Sequence, residues 1–223
     1  MSGDIVLFRS VRRIALLALV FSAATIAIHG AIPGAIGVAR AADLPPTAEI
    51  ISERTLGAAD APVTLIEYAS LTCPHCANFA KETLPTIKKE YVETGKVKLI
   101  YRDYPLDNLA MRAAIMARCA PKERYFGLVE TLFASQATWM RAPDPSAALQ
   151  RVGAIAGLSA ENYEACVANK EIFDGVMALR AKGEADKLTG TPYFMLDGKP
   201  MTGEISVAEF RKKLDAALAA KGK

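Results

Sequence analysis

The sequence predicts an α/β fold: a small mixed sheet whose two halves are separated along the chain by an all-helical insertion. Three observations carry this. Val63, Leu65, Ile66 and Tyr68 form a short apolar run, Phe79, Leu84, Ile87 and Tyr91 return at helical intervals, and Val97, Leu99 and Ile100 form a second run. That order is a parallel βαβ unit, right-handed by the general rule for such crossovers. From Asp107 to about Lys187 helical spacing repeats with no strand pattern. The chain then closes on a hairpin around Asp197-Gly198 and one more amphipathic helix.

Taken in order, residues 1–41 read as an export signal. Arg9, Arg12 and Arg13 precede an uninterrupted weakly polar to apolar run from Ile14 to Ile28, and Ala39-Arg40-Ala41 offers a small-residue cleavage site. The run is shorter than the roughly 20 residues a spanning helix prefers, so cleavage near Ala41 is expected over retention as a membrane anchor. Arg12-Arg13 is a weak twin-arginine hint. Without residues 1–41 the net charge of +3 vanishes, leaving 23 basic and 23 acidic side chains. A neutral chain of this kind gives no reason to expect nucleic acid or another polyanion as partner.

Residues 42–60 form a lead-in with one edge strand expected at Glu49 to Arg54. In the strand Val63 to Tyr68, alternation puts Glu67 on the face of Val63 and Leu65, where a carboxylate is a misfit whose pKa burial raises. The helix after it runs from Pro74 to about Thr94, with Pro85 expected to kink it and Gly95 to end it. Val97 to Asp103 is the next strand. Residues 107–187 form the helical insertion, with patterns at Leu109 to Ala117, Tyr125 to Leu132, Leu149 to Ala156, Tyr163 to Val167 and Ile172 to Leu179. Asp144-Pro145 starts one of these helices and Gly157 stops it. Tyr193 to Leu196 and Lys199 to Met201 are the hairpin strands. A capping box of Ser206 with Glu209 opens the last helix.

The chemistry lies in Cys73-Pro74-His75-Cys76, where an apolar strand gives way to a helix. Pro74 suits the first helical position, where a missing N–H costs nothing. A helix starting there aims its free N–H groups and positive dipole end at Cys73 and favours the thiolate. His75, between the cysteines, stabilises that thiolate further and makes the disulfide more oxidising. A zinc site would want a second ligand pair at short spacing, and Cys119 and Cys166 are solitary, so no metal is expected. For Cys119 and Cys166 two readings stand: two small buried hydrophobes, or a disulfide closing a 47-residue loop. Such a bond is worth about 4 kcal/mol in the chain-entropy model.

The strand, the Cys-Pro-His-Cys stretch, Tyr104-Pro105-Leu106 after the next strand, and Gly190-Thr191-Pro192-Tyr193-Phe194 resemble the DsbA family of periplasmic thiol-disulfide oxidoreductases, over about residues 50 to 220. The resemblance implies a thioredoxin-like fold, with residues 61–106 and 188–223 as the thioredoxin-like domain and 107–187 inserted. It implies Cys73 as the attacked cysteine, Cys76 as its buried partner, and Glu67 beneath the site as proton handler for Cys76. It further implies a cis bond at Pro192, with Thr191 close to Cys73 and the Thr191-Pro192 loop facing substrate by strand addition. Relatives with a second cysteine pair favour a structural Cys119–Cys166 bond. The lead-in is too short for the dimerisation domain or stalk that related isomerases carry.

The resulting expectation is a monomeric periplasmic oxidoreductase of a Gram-negative bacterium that introduces disulfides into unfolded or reduced exported proteins. It needs no cofactor and is recharged by a membrane quinone-linked partner, as the family implies. Threonine at 191 also occurs in isomerase branches, so an isomerase or reductase is the rival within the same chemistry. From another class, a non-redox periplasmic binding or chaperone domain would use the cis-proline groove alone.

Overall fold

The computed structural model describes residues 44–201 and 206–222, which belong to one compact unit. The expected export signal lies outside the described residues. Four elements build the first half: α1 (Thr47–Ile50), β1 (Arg54–Leu56), β2 (Val63–Ala69) and the long helix over residues 74–92. The edge strand expected at Glu49 to Arg54 is corrected. Pro46 starts a helical turn, its carbonyl accepting from the N–H groups of Glu49 and Ile50 at 2.8 and 3.1 Å. This turn drives Ile50 into the core, and the strand begins only at Arg54.

The long helix alternates α2 (Pro74–Asn78), a π-helical turn at Phe79–Thr83, α3 (Leu84–Ile87) and a second π turn at Lys88–Val92. The bond that Pro85 removes is absorbed by the first π turn, where the Leu84 N–H reaches back to the Phe79 carbonyl. The helix ends at Val92, two residues before Thr94. Gly95 follows at φ 74°, and Lys96 N–H closes on the Tyr91 carbonyl at 2.9 Å.

After β3 (Val97–Asp103) come only helices until the sheet resumes: α4 (Asn108–Cys119), a 3₁₀ turn at Lys122–Arg124, α5 (Tyr125–Ala134), α6 (Gln136–Met140), α7 (Pro145–Ile155), α8 (Ala160–Val167) and α9 (Lys170–Ala185). Asp107, Asp144, Ser159 and Asn169 cap α4, α7, α8 and α9 through their side chains. Cys119 on α4 and Cys166 on α8 are disulfide-bonded, their Cα atoms 6.4 Å apart. The sheet returns with β4 (Tyr193–Leu196) and β5 (Lys199–Pro200), joined through Asp197 and Gly198, both at positive φ as the tight hairpin requires. β5 stops one residue short of Met201, whose N–H still donates to the Phe194 carbonyl at 2.8 Å. In α10 (Val207–Ala220) half the capping box forms: Ser206 Oγ accepts from the Glu209 N–H, while the Glu209 carboxylate turns to Lys212 and Lys213.

The five strands order as β1-β3-β2-β4-β5, with β2 and β3 parallel and the remaining pairs antiparallel. The expected thioredoxin-like architecture is thus present. Glu67 on the central strand lies between Tyr101 of β3 and Phe194 of β4. The core has two parts. One is built on β2, β3, the long helix and α10, and holds a trio of Phe79, Phe194 and Phe210 with ring centroids 4.7 to 5.3 Å apart. The other is mostly helical and takes in Leu71, Cys73 and Cys76. The cysteine pair therefore sits where the sheet's carboxyl edge meets the helices.

Candidate active site

Cys73 is the N-cap of α2, with extended backbone at φ −78° and ψ 121°, and Pro74 takes the first helical position. Because Pro74 offers no N–H, the first donors of the helix near the Cys73 sulfur are the backbone N–H groups of His75 and Cys76. Cys73 is 6% exposed and Cys76 fully buried, and neither is in a disulfide. Pro74 and His75 face solvent between them. Of the two buried cysteines, Cys73 is therefore the one nearer the surface, and Cys76 is sealed.

The loop from the end of the insertion closes the site. The Thr191–Pro192 peptide bond is cis, and the Cys73 thiol donates to the Thr191 carbonyl oxygen at 3.2 Å. Thr191 Oγ1 is buried with no other partner, so it is the donor at hand once Cys73 ionises. The Cys73 thiol is pulled down to about 5, first by the hydrogen bond from the Cys76 thiol, against burial that raises it, then by the Thr191 hydroxyl and the two backbone N–H groups. Burial, the bond given to Cys73 and the thiolate charge hold Cys76 far above the ordinary thiol range. The two thiols are thus split into a nucleophile or leaving group and a protonated partner.

Glu67 is 1% exposed, both carboxylate oxygens are buried without a hydrogen-bond partner, and burial raises its pKa to about 8. It is close enough to Cys76 for its charge to oppose ionisation of that thiol. The structure therefore brings Cys73, Pro74, His75, Cys76, Glu67, Thr191 and Pro192 together around one sulfur pair, and leaves Cys119 and Cys166 bonded in the helical region.

Two further residues belong to the site and carry no signal in the sequence. Gln136 of α6 donates from Nε2 to the carbonyls of Leu71 and Cys73 at 2.8 and 3.0 Å, tying the helical region to the loop that presents the sulfur. Tyr101, paired across the sheet with Glu67, has a buried hydroxyl without a partner. A glutamine and a strand tyrosine are each unremarkable in a sequence, and only the fold aims them here.

The Cys73 arrangement has a measurable consequence in the reduced protein. Its folded value of about 5 lies below the ordinary thiol value of 9.0, so the stability it gives is fully present above pH 9 and is lost as pH falls through 5. A titration of thiolate ultraviolet absorbance is expected to show a midpoint near 5 that disappears in Cys73→Ser. A midpoint at or above 8 would contradict the hydrogen-bond set described.

The family model described as Thioredoxin matches residues 50–216. The chain belongs to the thioredoxin family. Among solved structures, this thioredoxin-family chain is similar to Wolbachia pipientis alpha-DsbA1, at 30% identity and TM-score 0.70, over 80% of this chain and 94% of that one. It is also similar to the protein-disulfide isomerase of Novosphingobium aromaticivorans, at 25% identity and TM-score 0.66, over 74% and 97% of the two chains. A curated relative, the "Putative protein-disulfide oxidoreductase" of Rickettsia conorii, is 30% identical over 169 residues, which are 75% of this chain. The match spans 61% of that relative's own length. These likenesses agree with the DsbA resemblance expected from the motifs.

Proposed function

We propose that this chain is a periplasmic thiol-disulfide oxidoreductase that introduces disulfides into exported proteins, released from its signal near Ala41 and acting as a monomer. One observation carries the reading: two free cysteines at a helix start, one reachable and held as thiolate, the other sealed, against the Thr191-Pro192 loop. In the donor direction the active site begins as the Cys73–Cys76 disulfide. A substrate thiolate bonds to Cys73 Sγ, the bond to Cys76 breaks, and its electron pair leaves on Cys76, which takes a proton from Glu67. A second substrate thiolate then attacks the substrate sulfur of the mixed disulfide, and Cys73 departs as thiolate. Two electrons pass from the substrate dithiol to the pair.

His75 tunes the thiolate from the solvent side, and Thr191 and Pro192 present backbone to an extended substrate segment. A stable Cys73 thiolate favours the reduced pair and makes the disulfide oxidising. A membrane quinone-linked protein then recharges it. The likeness to a protein-disulfide isomerase keeps the isomerase or reductase direction as the second reading.

The deciding measurement is the reduction potential of the Cys73–Cys76 pair, by equilibration in glutathione buffers with alkylation of the two cysteines followed separately from Cys119 and Cys166. The expected value lies well above the glutathione couple, each 30 mV being about 1.4 kcal/mol. Between pH 5 and neutrality one proton accompanies two electrons, so the potential is expected to fall by about 30 mV per pH unit, steepening to about 59 mV below the Cys73 midpoint. A potential at or below glutathione would overturn the donor direction in favour of a reductase or isomerase.

A further inference from the structure

The Thr191-Pro192 loop leaves α9 where that helix stops. The Lys187 N–H closes on the Glu184 carbonyl at 3.0 Å and the Leu188 N–H on the Gly183 carbonyl at 3.2 Å, with Lys187 in the left-handed region at φ 57°. Among the described residues, Thr189, Gly190 and Thr191 then donate no backbone hydrogen bond to the chain, and Pro192 has no N–H to give. What fixes the loop is therefore what holds its two feet, Asp186 just past the end of α9 and Tyr193 at the start of β4.

One residue holds both. Tyr68, buried on the central strand β2, is the register partner of Tyr193. Its hydroxyl donates to Asp186 Oδ2 at 2.6 Å. The oxygen of that hydroxyl accepts from Arg102 Nη1 at 2.6 Å, and Arg102 Nη2 is held in turn by Glu53 at 2.9 Å. An acid at the C-terminal end of a helix opposes the dipole. Asp186 stands there against that preference, and the bond from Tyr68 offsets it. Burial first, then the bond to Asp186, pushes the Tyr68 hydroxyl up to about 12, so it stays a donor at neutral pH.

We propose that Tyr68 and Asp186 form a clip that sets the spacing between the two feet of the loop over residues 187–192, and thereby how tightly an extended peptide segment is held beside Cys73. The inference rests on the reading of the Thr191-Pro192 loop as the one that faces substrate. Both are positioning residues, acting through the loop and not on the sulfurs. With the clip closed, the Thr191 carbonyl that accepts from the Cys73 thiol and the uncommitted N–H groups beside it keep one arrangement. A peptide strand then docks on an edge that is already ordered. With the clip open, only the Tyr193 foot remains, and each docking event must order the loop as well. A small dithiol needs no such edge.

The test is single-turnover reduction of the oxidised protein by a dithiol peptide in excess, over a range of peptide concentrations, beside the same reaction with dithiothreitol. The proteins are wild type, Tyr68→Phe, Asp186→Ala and Asp186→Asn. Tyr68→Phe keeps the ring and the backbone pairing, so the fold is expected to survive. Tyr68→Phe and Asp186→Ala are each expected to raise the half-saturating peptide concentration about tenfold, the scale of a lost hydrogen bond to a charged group. The limiting rate and the dithiothreitol rate should change by less than about threefold, because the sulfur pair keeps its own hydrogen bonds. Tyr68→Phe combined with Asp186→Ala should be no worse than either alone, since both remove the same bond. Asp186→Asn keeps an acceptor for Tyr68 and should stay within about threefold of wild type.

A half-saturating concentration unchanged in Tyr68→Phe and Asp186→Ala would overturn the clip. Equal slowing with peptide and dithiothreitol would mark a structural role and overturn it too. Asp186→Asn as poor as Asp186→Ala would place the effect on the charge at 186 and not on the bond from Tyr68, which also overturns it. If wild type reacts with the peptide no more readily than with dithiothreitol and without saturation, the substrate-facing reading of the loop fails and the clip with it. If wild type transfers no disulfide at all, the oxidoreductase reading itself fails.

Discussion

Cys73→Ser is expected to abolish disulfide exchange, by roughly a thousandfold or more in rate, while the protein stays folded. Serine fills the same space, but its hydroxyl neither forms a disulfide nor leaves as a stabilised anion at neutral pH. The hydrogen bond from the position-73 side chain to the Thr191 carbonyl survives, and the Cys119–Cys166 bond is remote in sequence. Cys76→Ser has a different signature. Cys73 is the reachable sulfur and keeps the backbone N–H groups of residues 75 and 76 and the Thr191 hydroxyl beside it. It is therefore expected to attack a small disulfide such as oxidised glutathione and to remain trapped as the mixed disulfide, with no partner to resolve it. Mass measurement of the adduct separates the two variants. An adduct on Cys76 in Cys73→Ser would reverse the assigned roles. A protein that binds unfolded chains equally well in both variants and shows no exchange in wild type would be a binding module.

The chemistry of a dithiol demands nearness along the chain, which is why Cys73 to Cys76 and the strand-to-helix change around them were legible. Glu67 was legible for the opposite reason: it breaks the alternation of an otherwise apolar strand, and in the structure it lies buried without a partner. The Asp197-Gly198 turn was equally plain, since positive φ at two successive residues leaves few choices. Features that depend on partners far along the chain were not. The start of β1 is set by Arg54, whose guanidinium donates to the Arg118 carbonyl 64 residues away. Gln136 reaches Leu71 and Cys73 across more than 60 residues. Local rules place elements, and the joints between elements need the third dimension.

The strongest such joint is a buried charge cluster, and Asp103→Ala is expected to destabilise the protein by about 3–5 kcal/mol. Asp103, 1% exposed at the end of β3, accepts from Arg118 Nε at 2.6 Å, and Arg118 is also 1% exposed. Arg118 donates onward to the carbonyls of Ile50 and Ser52 at 3.1 and 3.0 Å. Arg54, 3% exposed, donates to the Ile50 and Arg118 carbonyls, and both guanidiniums lie within 6 Å of the Tyr125 ring centroid. Two buried cations thus share one carboxylate, and burial first, then the Arg118 charge, lowers the Arg54 pKa. Guanidiniums do not escape by losing a proton, so removing Asp103 leaves two uncompensated charges that carbonyl dipoles and a ring face must hold alone. The cluster joins α1, β1 and β3 to α4 and α5, so its loss loosens the seam between the sheet and the helical region next to Cys119. Urea denaturation measures the cost, and a loss under about 1 kcal/mol would show that the carbonyls suffice. Asp103→Leu combined with Arg118→Met removes the ion pair as a whole and is expected to lose less than Asp103→Ala alone, since replacing both members of a buried pair with apolar groups is often neutral. If the double variant falls further than the single one, shape rather than charge balance governs the joint.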